Sequence, residues 1–119
     1  MRVEFSVSLG GRPIVVSEDC ESDSAMFEFI HHMQELFDNS TCSRNGETSS
    51  QVRVNVRTDG DENKYYEMVC FDPRKPECHY AKRKFGVNKK GGGLFPKNKD
   101  EEGNWKPWTR YNKETGKEE

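Results

Sequence analysis

No stretch of the sequence approaches the roughly 18 consecutive apolar residues that a membrane-spanning helix requires. The opening "MRVEFSVSLGGRPIVV" alternates apolar and polar positions where a secretion signal would run continuously apolar. Apolar residues are scarce altogether, at 31% of a 119-residue chain, and the mean hydropathy is −1.07. That length is one domain. Its composition implies a small core helped by a staple or a partner.

Catalytic signatures are missing as well. There is no G-x-S-x-G. His31 and His32 are consecutive, so on a helix they project about 100° apart and cannot form an i, i+4 ligand pair. "GVNKKGG", residues 86–92, has the outline of a phosphate loop but not the Lys-Ser/Thr that must follow. Glu18, Asp19, Glu21 and Asp23 cluster where they solvate a turn and favour a helix start. No set of residues converges on a reaction, so the expectation is a protein that is not an enzyme.

Charge is what the chain has in quantity. The net value of −2 conceals an acidic first half: residues 1–50 hold three basic and nine acidic side chains, giving −6. Residues 51–119 hold sixteen basic and twelve acidic, giving +4, and within residues 74–99 nine basic side chains meet only Glu77. Such an excess attracts phosphate or an acidic partner, and the acidic half makes any binding face one-sided. Four cysteines without a secretory signal point to reduced thiols in a cytoplasmic protein.

The patterning predicts an α+β domain: an antiparallel sheet of about four to six strands in ββαββ order, with one amphipathic helix packed on one face. Val3, Phe5, Val7 and Leu9 alternate up to Gly10-Gly11. With those glycines as a two-residue turn, Leu9 faces Arg12, Val7 faces Ile14 and Phe5 faces Val16. Residues 23–38 carry Met26, Phe29, Ile30, Met33 and Phe37 as a helical stripe capped near Ser22. Residues 40–50 read as a loop. "QVRVNVR" and "KYYEMVCF" read as paired strands around the turn "TDGDEN", and further strands are expected over 79–87 and 94–96. The domain is expected over 1–112, with a basic, loop-rich segment at 74–110 and a disordered tail at 113–119.

Two chemistries suit the second half. Lys82, Arg83, Lys84, Lys89, Lys90, Lys97 and Lys99 are placed to contact phosphates, with Tyr80, Trp105 and Trp108 as stacking platforms. Basic grooves interleaved with aromatics are how single-stranded nucleic acid is held with little sequence preference. The bland alternative is a solvated basic face with Phe85, Leu94 and Phe95 in the core. Cys42, Cys70, Cys78 and His79 carry the right atoms for structural zinc, although Cys70 and Cys78 are widely spaced and no C-x-x-C is present. The alternative there is ordinary buried thiols and no cofactor.

"KYYEMVC", "CHYAKRKFG" and "KKGGGLFPK" together resemble a group of small, uncharacterised phage and mobile-element proteins. The resemblance spans about residues 42–110 and implies a zinc-ribbon-like knuckle, with Cys42, Cys70 and Cys78 at three of its ligand positions. Asn45 stands at the fourth, and "FDPRKPE" widens the second pair, so the knuckle is expected to be degenerate here. The group brings no activity with it. The expectation is therefore a small nucleic-acid-binding protein without a membrane partner. The alternative is a protein-interaction module or a structural domain that docks an unknown protein.

Overall fold

The computed structural model describes every residue except 45–46, 50, 75–77 and 119, with the backbone alone described at 43–44 and 47–49. Strands β1 (Arg2–Leu9) and β2 (Arg12–Asp19) form a hairpin, followed by the helix α1 (Asp23–Phe37). Then come β3 (Cys42–Arg44), β4 (Glu47–Ser49), β5 (Val52–Thr58), β6 (Lys64–Cys70), β7 (Lys82–Val87) and β8 (Leu94–Pro96). Two short strands, β9 (Tyr111–Asn112) and β10 (Lys117–Glu118), close the chain. The α+β architecture with one helix and antiparallel strands follows the sequence pattern. The strands, however, divide into three two-stranded ladders and one four-stranded sheet ordered β5-β6-β7-β8.

The β1–β2 register pairs Leu9 with Arg12, Val7 with Ile14 and Phe5 with Val16. Gly10 and Gly11 both take positive φ (60° and 80°), which the tight turn requires and which glycine adopts without steric cost. Helix α1 begins where Ser22 Oγ accepts the Ala25 amide at 3.1 Å. The stripe of α1 lies on the hairpin, with Phe29 edge-on to Phe5 at 5.6 Å between ring centres. Its residues are half-buried at most.

The fully buried core sits instead on the four-stranded sheet, where Val52, Met68, Cys70 and Phe85 meet Cys42, Cys78, Ala81 and Trp108. Leu9, Leu36, Phe37, Tyr66 and Leu94 pack around it. The hairpin is tied to this core through backbone as well. The Gly10 amide donates to Ser40 O at 3.1 Å, and the Arg12 guanidinium donates to Val52 O at 3.0 Å.

Three segments depart from expectation. Residues 40–50 contain the β3–β4 ladder, because main-chain pairing over three residues needs no apolar alternation. The first strand of the basic segment, β7, starts at Lys82 and not at 79, since residues 78–80 form a turn. The expected tail folds through Glu118 as a small ladder in which Lys117 pairs with Asn112. Among the described residues, no helix is long and apolar enough to cross a membrane.

Candidate nucleic-acid interface and thiol cluster

Pleating sends alternate residues of β5–β8 to opposite faces. Cross-strand register puts Val52, Met68, Cys70, Arg83, Phe85 and Pro96 on the core side. The other side carries Arg53, Asn55, Arg57, Tyr65, Glu67, Val69, Lys82, Lys84, Gly86 and Phe95. Lys97 continues it, its amide donating to Lys84 O at 3.0 Å.

This second face is basic and aromatic together. Phe95 is 46% and Tyr65 39% exposed, and Arg57 is 45% exposed. The Phe95 ring packs against Gly86: a Cβ there would come within 2.3 Å of the ring. Cations stand beside aromatic rings across the face, with Arg57 over Tyr65 at 4.3 Å and Arg53 over Phe71 at 5.2 Å.

One buried carboxylate organises the centre of that face. Glu67 Oε1 accepts from Asn55 Nδ2 at 3.0 Å and from Arg57 Nε at 3.3 Å, and Lys82 Nζ stands 3.8 Å away. A buried carboxylate is tolerated when paired in this way. It fixes the long cations around it and neutralises only part of their charge. Lys84 is engaged at the rim by Glu118 of β10.

The residues expected to touch phosphate and bases divide into two groups. Lys82 and Lys84 are on the basic face, with Lys97 beside them. Lys89 and Lys90 are exposed in the 88–93 loop at its end, where Gly91 and Gly92 supply the positive φ of the turn (86° and 72°). Lys99 is exposed and stands 4.7 Å from the Trp105 ring. Tyr80 is exposed but sits in the turn before β7, its ring tilted 44° against that of His79 with ring centres 3.9 Å apart.

Arg83 and Trp108 are buried, which takes them off the expected binding surface, and Trp105 is half-buried. Arg83 is 0% exposed, and it donates to Leu36 O at 2.8 Å, Glu35 O at 3.4 Å and Asn98 Oδ1 at 3.0 Å. Burial pushes its pKa down to about 10, against the upward pull of Asp38 and Glu35, so it stays charged at neutral pH. Trp108 is 3% exposed in the core. Trp105 is half-buried, its Nε1 donating to Asp38 Oδ2 at 3.2 Å and its ring 4.6 Å from the Arg83 guanidinium.

Pattern reading missed Arg53, Arg57 and Tyr65 as candidates. The signal was present in "QVRVNVR" and "KYYEMVC", whose polar positions share a face once the strands pair.

The cysteines expected as ligands do come together. Cys42 from β3, Cys70 from the end of β6 and Cys78 from the turn before β7 are fully buried in one cluster. No disulfide joins any of the four cysteines. Burial, with the neighbouring Cys78 and Cys70 thiols hydrogen-bonded to it, pushes the Cys42 thiol up and keeps it protonated. Cys20 is separate, with its Sγ 3.9 Å from Glu18 O. His79 is half-buried, and its Nδ1 is enclosed with no hydrogen-bond partner among the described residues. Asn45 and residues 75–77 of the "FDPRKPE" insert lie outside the described residues. Among the described residues, no group of three or more His, Cys, Asp or Glu side chains is placed where it could hold a metal ion.

No protein family, curated protein or solved structure matches the chain.

Proposed function

We propose that the protein binds single-stranded nucleic acid, with little sequence preference, on the outer face of the β5–β8 sheet. The observation that carries this reading is the exposure of Tyr65 and Phe95 among Arg53, Arg57, Lys82, Lys84 and Lys97 on one pleated surface. Open sheet faces bearing aromatics hold unpaired bases by stacking, and surrounding cations follow the phosphates. Every base has a π-face, so such a surface tolerates any sequence. Lys89 and Lys90 extend the cationic track along the 88–93 loop, whereas Lys99 stands apart, lining a groove with Trp105, β1 and α1. The protein works by binding and not by catalysis.

Fluorescence anisotropy of a labelled single-stranded oligonucleotide tests the assignment. Arg53→Glu combined with Lys97→Glu should weaken binding by on the order of 10-fold or more, because two phosphate contacts become repulsions. Both side chains are exposed, so the melting temperature should hold. Lys89→Glu with Lys90→Glu, at the loop, should weaken binding less. Undiminished affinity in the Arg53/Lys97 variant would remove the sheet face from consideration.

A further inference from the structure

We propose that the outer edge of β5 pairs with the same strand of a second copy of this chain, antiparallel and centred on Val56, so that the two sheets run together as one. This self-association is independent of nucleic-acid binding.

The hydrogen-bond pattern shows which groups the edge offers. Strand β5 ends its sheet, and among the described residues no strand pairs with its outer side. The Phe71 amide donates to Gln51 O at 2.8 Å, and the Asp59 amide donates to Asn63 O at 3.0 Å. In an antiparallel pair, alternate residues exchange bonds with the partner strand, and those between them point away. Arg53, Asn55 and Arg57 therefore bond to β6, while Val52, Val54, Val56 and Thr58 turn their N–H and C=O groups outward. The Arg12 guanidinium takes Val52 O at 3.0 Å, which agrees with that direction and closes the start of the edge. Val54, Val56 and Thr58 remain exposed.

The side chains beside these groups are apolar. Val54 is 58% and Val56 54% exposed, although they share the core side of the sheet with buried Val52. β-Branched side chains next to unpaired main-chain groups make a sheet edge a template for another strand. Strand β5 contains no proline and pairs with β6 without a bulge, so its backbone does not obstruct an added strand.

Charge selects the occupant and the register. Arg53 and Arg57 lie on the outer face of β5, and Asp59 follows at its end. Pairing centred on Asn55 would set Arg53 against Arg57 of the second copy, and like charges directly opposite are destabilising. Pairing centred on Val54 would need Val52, whose carbonyl Arg12 already holds. Pairing centred on Val56 sets Arg53 against Asp59 of the second copy, Arg57 against Asn55, Val54 against Thr58, and Val56 against its own twin. Every outward-facing residue of the open stretch then exchanges its main-chain bonds. The strand is complementary to itself, as a two-fold interface requires.

Sedimentation equilibrium of the full chain, without oligonucleotide, tests the inference. The expected result is a reversible equilibrium of monomer and dimer. Val56→Pro removes an outward N–H and leaves the β5–β6 bonds intact, whereas Val56→Lys sets like charges opposite each other. The side chain is exposed in the monomer, so the melting temperature of Val56→Lys should change little. Each variant should weaken dimerisation by roughly 10-fold or more. Mild oxidation of Val56→Cys should yield a covalent dimer, because opposed hydrogen-bonded residues have Cα atoms about 5.5 Å apart, within disulfide reach. Val54→Cys should not cross-link, and the native cysteines are buried.

A chain that stays monomeric at every loading concentration overturns the proposal and leaves the edge to an extended segment of another protein. Dimers undiminished in both Val56→Pro and Val56→Lys overturn the β5 edge as the interface. Cross-linking through Val54→Cys instead of Val56→Cys overturns the register. Oligonucleotide binding is a separate readout, so failure here is distinguishable from failure of the proposed function.

Discussion

Arg83→Ala is expected to lower stability by about 3–5 kcal/mol, combining unsatisfied carbonyls with a void in the core. For a domain of this size that is a fall of roughly 12–20 °C in melting temperature. The physical reason begins in α1, which has no basic residue in its last turn. Its final carbonyls form the negative end of the helix dipole and need donors. Arg83 supplies them from β7, bonding Leu36 O and Glu35 O together with Asn98. Its guanidinium also stands 4.9 Å from the Phe85 ring and 4.6 Å from the Trp105 ring. One side chain therefore joins helix, sheet and the segment after β8. Arg83→Lys should recover only part of the loss, because a single ammonium cannot reproduce the planar fork. A phosphate-contacting arginine would behave in the opposite way, losing affinity at constant melting temperature. Thermal denaturation beside oligonucleotide titration separates the two.

Trp108→Ala is expected to cost a further-reaching loss of about 3–5 kcal/mol, the usual range for removing a buried large aromatic. Trp108 fills the core beside Cys42, Cys70, Cys78 and Phe85. With so few apolar residues elsewhere, its cavity has little to collapse into it. Cooperative unfolding should broaden or disappear. Trp108→Leu keeps apolar volume without a ring to stack, so it should fold less stably yet bind oligonucleotide as the native protein does. A large loss of affinity in folded Trp108→Leu would return this residue to the binding surface.

The parts of the fold legible from sequence are those where one local signal suffices. The hairpin register followed from strict alternation meeting Gly10-Gly11. Helix α1 followed from its stripe and the Ser22 cap, and β5 and β6 from alternation around an Asp-Gly turn. What escaped depends on partners distant in sequence. "KRK" at 82–84 does not reveal that its middle residue points inward; only the Glu35 and Leu36 carbonyls at the end of α1 do. Trp108 stands among polar residues with no periodicity to mark it as core. The basic face is assembled from β5, β6, β7 and β8, so no single segment displays it, and attention fell on the dense run at 74–99. The thiols are eight or more residues apart, too far for spacing rules, yet the turn at 78–81 brings them together.

Amide chemical-shift mapping of the isotope-labelled protein with an unlabelled single-stranded oligonucleotide tests the central claim most directly. Saturable shifts at Arg53, Arg57, Tyr65, Lys82, Phe95 and Lys97, retreating as salt is raised, are the predicted result. Shifts confined to α1 and the β1–β2 hairpin, or no shifts at low salt, would contradict it.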